Sequence, residues 1–318
     1  MQSSFWEDFK KKTGWDSISL GLFDDEKLVG GAAVLRFHFS KNGHFLYIPQ
    51  GPVLDYDSAN AEQKFVTIIE SIKNNLVSKE NDTSHTSHLR IEPRIMDIPS
   101  YFSAFHRASF DMQPSYTLLV DLAQSEEELL ANMKPKGRYN IGVAQRHSVT
   151  VDFEPCTQED LALFYALYLE TSKHHAFTPQ PIAYFSSMIS SSASSHSSFA
   201  FARHEDRILS AAFIITFGTS ATYFYGASSS ESPEFMAPYL LQWETMRHMK
   251  QLGFMTYDFW GVAPKGANED HPWHGFSKFK EKFGGTPVRF IGAHDLVFGE
   301  STYRDYLSKS GEKSTKSE

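Results

Sequence analysis

One succession of elements is legible twice in this chain, about 180 residues apart, and that repeat narrows the fold more than any other feature. In its first occurrence residues 19–23 read as a strand and residues 24–27 as a polar turn. Residues 28–37 make a second strand, with Gly30 and Gly31 in its interior. Residues 45–48 supply a third strand that runs into a turn bracketed by Pro49 and Pro52. Residues 59–77 then place Phe65, Ile68, Ile69, Ile72 and Leu76 on one face of a helix, and residues 89–92 close the unit as a short strand. In the second occurrence the strands are residues 199–203, 208–217 and 221–226. A helix follows over residues 238–252, opened by Pro238 and stopped by Gly253, and residues 255–259 form the closing strand.

Between the two occurrences, Ser125 with Glu128 is a capping box for a helix running to Met133. The stretch Lys134 to Ile141 leads into a helix ending near His147, and Pro135 with Gly137 argues against its opening being helical. Thr157 with Asp160 caps a further helix to Lys173. The serine-rich residues 186–198 read as a surface loop with a frayed helix end, and the polar residues 308–318 as a disordered tail. The expected organisation is therefore a first domain over residues 1–147 and a second over residues 148–295.

Composition excludes several classes. Cys156 is the only cysteine, so no internal disulfide forms, and its entrance-of-helix position without a His–acid partner reads as an inert thiol. The first ten residues carry charges where a secretory leader needs an apolar run, and the longest strongly apolar stretch, residues 211–217, is too short to span a bilayer. A cytoplasmic protein is expected. A net charge of −8 argues against broad nucleic-acid binding, while leaving two local basic clusters: Lys134, Lys136, Arg138 and Arg146, then Lys278, Lys280 and Lys282. Asp270, His271 and His274 read as a structural turn, so no metal and no cofactor is expected.

Strand, strand, strand, helix, strand is the heart of the acetyltransferase fold, so two tandem acetyltransferase-like (GNAT-like) domains of α/β class with mixed sheets are expected. Such domains grip the coenzyme A pyrophosphate with backbone N–H groups of a glycine-rich loop ahead of the helix. Here that loop is residues 227–238 in the second half, without glycine and with Glu231, Glu234, Pro233 and Pro238. In the first half, residues 50–57 carry Asp55 and Asp57. Both halves read as scaffolds without a coenzyme A site.

The second half carries an ordered series of motifs: Tyr223-Phe-Tyr-Gly-Ala-Ser-Ser229, Ala237-Pro-Tyr-Leu-Leu-Gln-Trp-Glu244, Tyr257-Asp-Phe-Trp-Gly261 and Asp270-His-Pro-Trp273. Gly275-Phe276, Phe279-Lys-Glu-Lys-Phe-Gly-Gly285 and Ile291-Gly-Ala-His-Asp295 complete it, and Arg138-Tyr-Asn-Ile141, Phe5-Trp6 and Gly14-Trp15 accompany it upstream. In these the chain resembles the FemABX family of peptidoglycan bridge-forming aminoacyltransferases, in a compact form without the coiled-coil arm. The resemblance implies transfer of an amino acid from aminoacyl-tRNA to the stem peptide of a peptidoglycan precursor, either UDP-MurNAc-pentapeptide or lipid II. Peripheral membrane contact through a lipid-linked substrate stays open. It also implies that a C-terminal segment, residues 296–307, returns to the first domain.

By the same resemblance Lys280, in the pair Phe279-Lys280, is the residue that steadies negative charge, and Tyr223, Tyr225, Phe279, Arg138 and His174 line the substrates. Tyr223 and Tyr225, two apart on a strand, are expected on one face. On the closing strand Asp258 or Trp260 lines the site, and a buried Asp258 requires a partner. The family places arginine then aspartate where His174 and His175 stand; a histidine cannot copy the bidentate fork of arginine, with Lys173 or Arg138 as candidate replacements. Core aromatics and a solvated lysine are the plain alternatives for each of these residues. Two other functions stay open: an acyl-CoA-dependent N-acyltransferase on the same fold, and a non-catalytic precursor-binding protein.

Overall fold

The structure, a computed structural model, describes residues 1–41, 43–77, 86–190 and 196–314. Its contacts divide the chain into two compact units, Met1–Ser115 with Phe290–Glu318, and Tyr116–Arg289.

The first unit opens with α1 (Ser4–Lys12), whose first turn is capped by Ser3 Oγ accepting from the Trp6 N–H and whose Phe5, Trp6 and Phe9 are buried. β1 (Asp16–Asp24), β2 (Lys27–Ser40) and β3 (Gly43–Ile48) form an antiparallel meander, and the two-residue β4 (Val53–Leu54) adds to β2. α2 (Ala61–Ile72) crosses over, so that β5 (Thr86–Ile91) lies parallel to β3. Its Phe65, Ile68, Ile69 and Ile72 pack on Val34, Leu46, Ile48, Leu89 and Ile91. Each such side chain contributes about 1.5–3 kcal/mol on burial. β6 (His106–Arg107) ends this stretch.

The second unit begins with β7 (Tyr116–Asp121), α3 (Glu126–Asn132), α4 (Pro135–Arg146) and β8 (Thr150–Pro155). α5 (Gln158–His174) and α6 (Ile182–Ile189) follow, then β9 (Ser197–His204), β10 (Arg207–Phe217) and β11 (Ser220–Ser228). α7 (Ala237–Gln251) crosses to β12 (Thr256–Gly261), and α8 (His274–Lys280) and β13 (Thr286–Arg289) complete it. The sheet runs β13-β7-β12-β11-β10-β9-β8, with β11 and β12 parallel and every other neighbouring pair antiparallel. α7 covers one face, burying Leu240, Trp243 and Met246 in a core with Ala200, Ala212, Ile214 and Phe259. α5 and α6 cover the other, packing Phe164 against Phe199 and Phe185 edge-on against Phe213.

The chain then returns to the first unit. β14 (His294–Val297) enters between β5 and β6, giving the order β1-β2-β3-β5-β14-β6, and α9 (Glu300–Ser314) ends the chain's described part. Three antiparallel strands, a helix and a strand parallel to the third thus occur in each unit, as the repeat predicts. Among the described residues no helix is long and apolar enough to cross a membrane.

Several expectations differ from the structure. The boundary lies after residue 115 rather than 147, because β7 is held by β12 and β13, partners more than 130 residues downstream that local periodicity does not reveal. Residues 290–295 likewise belong with the first unit. α4 starts at Pro135, where a missing N–H costs nothing. Gly137 sits in its first turn because a Cβ there would meet the Lys282 carbonyl oxygen at 2.5 Å. The tail is helical to Ser314, supported by the Asp305–Lys309 pair one turn apart at 2.8 Å, with residues 315–318 outside the described residues. Of the serine-rich stretch, residues 186–189 belong to α6 and 191–195 lie outside the described residues.

Candidate functional site

The site grows from three irregularities in the second sheet. β11 and β12 pair only over Ser220↔Thr256, Ala221↔Tyr257 and Thr222↔Asp258, although both strands run on beyond. Past that point, Tyr223 faces Phe259 with ring centroids 6.3 Å apart, and Phe224 faces Trp260 at 5.6 Å. The second irregularity is a bulge in β11. Phe213 pairs with Tyr225 and the next residue, Ile214, with Tyr223, which leaves Phe224 as the extra residue.

That bulge corrects the sequence reading of the two tyrosines. Tyr223 lies on the α7 side of the sheet, while Tyr225 lies on the other, against Tyr168, Tyr184 and Phe185. Alternation places residues two apart on one face only in an unbroken strand. Burial holds both phenols above their ordinary pKa. Tyr223 folds along its own strand: a Cβ at Gly226 would stand 1.6 Å from its hydroxyl, so only glycine leaves room there.

β12 carries a bulge of its own. Asp258 pairs with Leu119 and Gly261 with Thr117, so one residue of β12 is extra, and Trp260 takes a left-handed φ of 60°. The buried Asp258 stabilises this backbone: its Oδ1 accepts from the Trp260 N–H at 2.8 Å and from the Thr117 hydroxyl. The result aims the Gly261 carbonyl at α8. There Lys280, 8% exposed, donates from Nζ to Gly261 O at 2.7 Å. Its ammonium also lies 4.9 Å from the Phe276 ring centroid and 5.7 Å from that of Tyr223. Burial pushes the Lys280 pKa down to about 7, against the attraction of Asp258. α8 is pinned by Ser277, whose hydroxyl accepts from the Ala263 N–H at 2.7 Å and donates to Trp273 O at 2.5 Å.

The structure thus brings together Lys280, Tyr223 and Asp258, with Trp260 joined through its backbone. It does not bring the other predicted residues to them. The Phe279 ring packs between Tyr239 and Phe283 at 5.1 and 5.2 Å. Arg138 Nη1 donates to Leu130 O, Ala131 O and Met133 O, capping the end of α3. His174 is exposed at the end of α5, its ring 4.8 Å from that of His175. Sequence reading gave no role to Thr117, Gly226, Gly261 or Phe276. Thr117 lies on β7, a strand that left no local signal; Gly226 had one, a glycine inside a strand.

A buried amine with a pKa near 7, in a low-dielectric wall beside a phenol, can hold a proton opposite developing negative charge. The loop ahead of α7 does not fit a pyrophosphate. Glu170 Oε1 accepts from the Ser230 N–H at 2.7 Å, Glu231 pairs with Arg207, and Pro233 has no N–H to give. Burial pushes the Cys156 thiol up to about 11, which leaves it a poor nucleophile.

In the first unit a shallow recess is lined by Gln50, Glu92, Arg94, Gln113 and Phe290, among others. Glu92 there already accepts from the Tyr47 hydroxyl and the Met112 N–H.

A FemAB family model matches residues 1–96, 71–205 and 190–306. The lipid II:glycine glycyltransferase of Staphylococcus aureus is 22% identical, over 96% of this chain and 89% of that protein. Among solved structures, FemX superposes with a TM-score of 0.83 at 19% identity, covering 95% of this chain and 93% of its own. A tandem GNAT protein from the clavulanic acid biosynthesis pathway gives 0.51 at 10% identity, over 90% and 84%. The last two are likenesses of fold.

Proposed function

Because the chain belongs to the FemAB family, we propose that it is an aminoacyltransferase that adds an amino acid to the stem peptide of a peptidoglycan precursor, in building the interpeptide bridge. The Staphylococcus aureus relative, a lipid II:glycine glycyltransferase, supports the substrate class. The donor in this proposal is an aminoacyl-tRNA, whose ester is already activated, and the acceptor is the amine of UDP-MurNAc-pentapeptide or lipid II.

The reaction then asks little acid–base work of the protein. The acceptor nitrogen attacks the ester carbonyl, a C–N bond forms, and the carbonyl oxygen becomes an oxyanion. Collapse breaks the bond to the ribose oxygen, which takes up the proton that the attacking amine loses. What lowers the barrier is alignment of the two substrates and compensation of the oxyanion.

The observation that carries this reading is Lys280: a cation buried among aromatic rings, with Gly261 O as its hydrogen-bond acceptor and Asp258 close by. In the proposal its ammonium faces the oxyanion, with the Tyr223 ring beside it. Asp258 acts on the backbone that presents Gly261. Trp260 offers aromatic surface to the substrates, while Tyr225, on the opposite face of the sheet, and Arg138, at the end of α3, serve the fold, and the exposed His174 extends the binding surface further out.

The decisive experiment incubates the protein with charged tRNAs and precursor and weighs the product. A precursor gaining one aminoacyl mass, lost on ribonuclease treatment, supports the proposal; a gain that needs coenzyme A thioester instead overturns it. Lys280→Met should lower turnover about 10²- to 10³-fold, the usual cost of losing one oxyanion partner.

A further inference from the structure

Most charges of the two basic clusters are committed within the second unit. Lys134 pairs with Glu281 at 2.7 Å, Arg138 caps α3, Lys280 is buried, and Lys282 donates to the Tyr239 hydroxyl at 2.8 Å. Lys278 stands 3.9 Å from Glu269. What remains is one stripe on α4: Lys136, Tyr139 and Arg146, all exposed and spaced three and seven residues apart. Tyr139 is 66% exposed, an unusual position for a phenol ring, and the Arg146 guanidinium lies 5.7 Å from its centroid. Neither cation of the stripe has an acidic partner among the described residues.

This is the chemistry of nucleic-acid contact: an aromatic face and a guanidinium plane for a base, and cations about 15 Å apart along the helix for phosphates. The chain carries a net charge of −8, so the stripe is not a sample of a generally basic surface. An anionic bilayer calls for four to eight clustered cations or an aliphatic face, and this stripe has neither. Its position adds to the argument. The Lys134 N–H donates to Lys282 O at 3.0 Å, and Gly137 lets α4 come close to that carbonyl, so α4 is fixed to the segment that follows Lys280.

We propose that this stripe docks the RNA of the donor, with Tyr139 and Arg146 stacking a base and Lys136 and Arg146 contacting phosphates. It rests on the aminoacyl-tRNA reading given above. The test uses the full chain carrying Lys136→Ala, Tyr139→Ala and Arg146→Gln together, with glycine-charged tRNA and UDP-MurNAc-pentapeptide as substrates. The expected result is a KM for charged tRNA raised about tenfold, with kcat and the precursor KM within about twofold of the parent. The slope of log affinity for uncharged tRNA against log salt should fall by about two, one for each lost phosphate contact. A variant with unchanged tRNA KM and salt slope overturns the docking proposal while leaving the transfer reaction in place. If the parent protein neither binds nor discharges charged tRNA, the functional reading fails and the docking site with it. Loss of binding to phosphatidylglycerol vesicles with RNA use intact would make the stripe a lipid contact and overturn the proposal.

Discussion

Arg90 and Asp295, 205 residues apart in sequence, meet in a fully buried bidentate pair, Nε to Oδ1 at 2.7 Å and Nη2 to Oδ2 at 2.8 Å. The pair ties β5 to β14 by side chains where their backbones already pair, and Tyr303 of α9 donates to the same carboxylate at 2.9 Å. Arg90 Nη1 has no hydrogen-bond partner and lies among the rings of Phe110, Tyr306 and Phe45. Asp295→Asn should therefore strand a buried cation and cost about 3–5 kcal/mol, read as a shift in the urea midpoint. Replacing both partners by apolar residues should recover most of that loss, because the desolvation cost leaves with the charges.

His88 sits beside this pair and makes stability fall in acid. Its ring is fully buried, stacked on Phe45, with Nδ1 2.7 Å from Ser87 Oγ. Burial depresses its pKa to about 3. Between pH 6.5 and 3 the unfolded chain then binds a proton that the folded one refuses, so this contribution is intact above pH 6.5 and lost as pH falls through that window. The limiting slope is about 1.4 kcal/mol per pH unit. His88→Phe should flatten the pH dependence of the denaturation midpoint between pH 6 and 4; an unchanged slope would show that His88 is protonated in the fold.

Gly226 and Tyr223 should behave as one unit. Gly226→Ala puts a methyl group where the Tyr223 hydroxyl and its ring carbon now lie, at 1.6 and 2.5 Å, so the ring must leave its place beside Lys280. The expected cost is about 1–3 kcal/mol of stability. In a double-mutant cycle with Tyr223→Ala the two losses should be strongly non-additive, in stability and in turnover alike. Additive losses would mean that Tyr223 has somewhere else to go.

The repeated strand order was legible because each strand and helix carries its own period, and the buried faces of α2 and α7 follow it. Legibility ended where two distant strands decide the outcome. Nothing local marks Tyr116–Asp121 as the partner of β12 and β13, so local periodicity places the unit boundary 32 residues too late. The bulge at Phe224 is invisible to a count of two, and it moved Tyr225 to the opposite face from Tyr223. Lys280 reads in sequence as one lysine in a charged run; the Asp258 and Trp260 bulge that gives it a buried acceptor is a tertiary feature.

Gly137 offers a test of how tightly α4 is set. Replacing a glycine inside an exposed helix by alanine ordinarily gains about 1 kcal/mol. At position 137 the new Cβ would press on the Lys282 carbonyl oxygen at 2.5 Å, and backbone on both sides must shift. Gly137→Ala should therefore destabilise by about 1–3 kcal/mol. Gly275→Ala in α8, where no atom lies within 4 Å, should be neutral or stabilising. The two melting curves measured side by side separate propensity from packing.

Lys280 should trade stability for function. Its pKa in the folded chain is about 7, against 10.5 for an ordinary lysine. Between those values the unfolded chain holds a proton that the folded one gives up, so folding gains stability as pH rises through that window. At neutral pH and below, the buried ammonium costs free energy. Lys280→Met removes that cost, and the variant should be more stable by on the order of 2 kcal/mol at pH 7, with the gain shrinking by pH 10. The same proton governs turnover. If the ammonium is the form that meets the oxyanion, kcat should fall as pH rises through about 7, by about tenfold per unit once the amine is mostly neutral, and Lys280→Met should lose this dependence together with its activity. A rate that climbs through the same window would instead make the neutral amine the working form, taking a proton from the acceptor rather than shielding a charge.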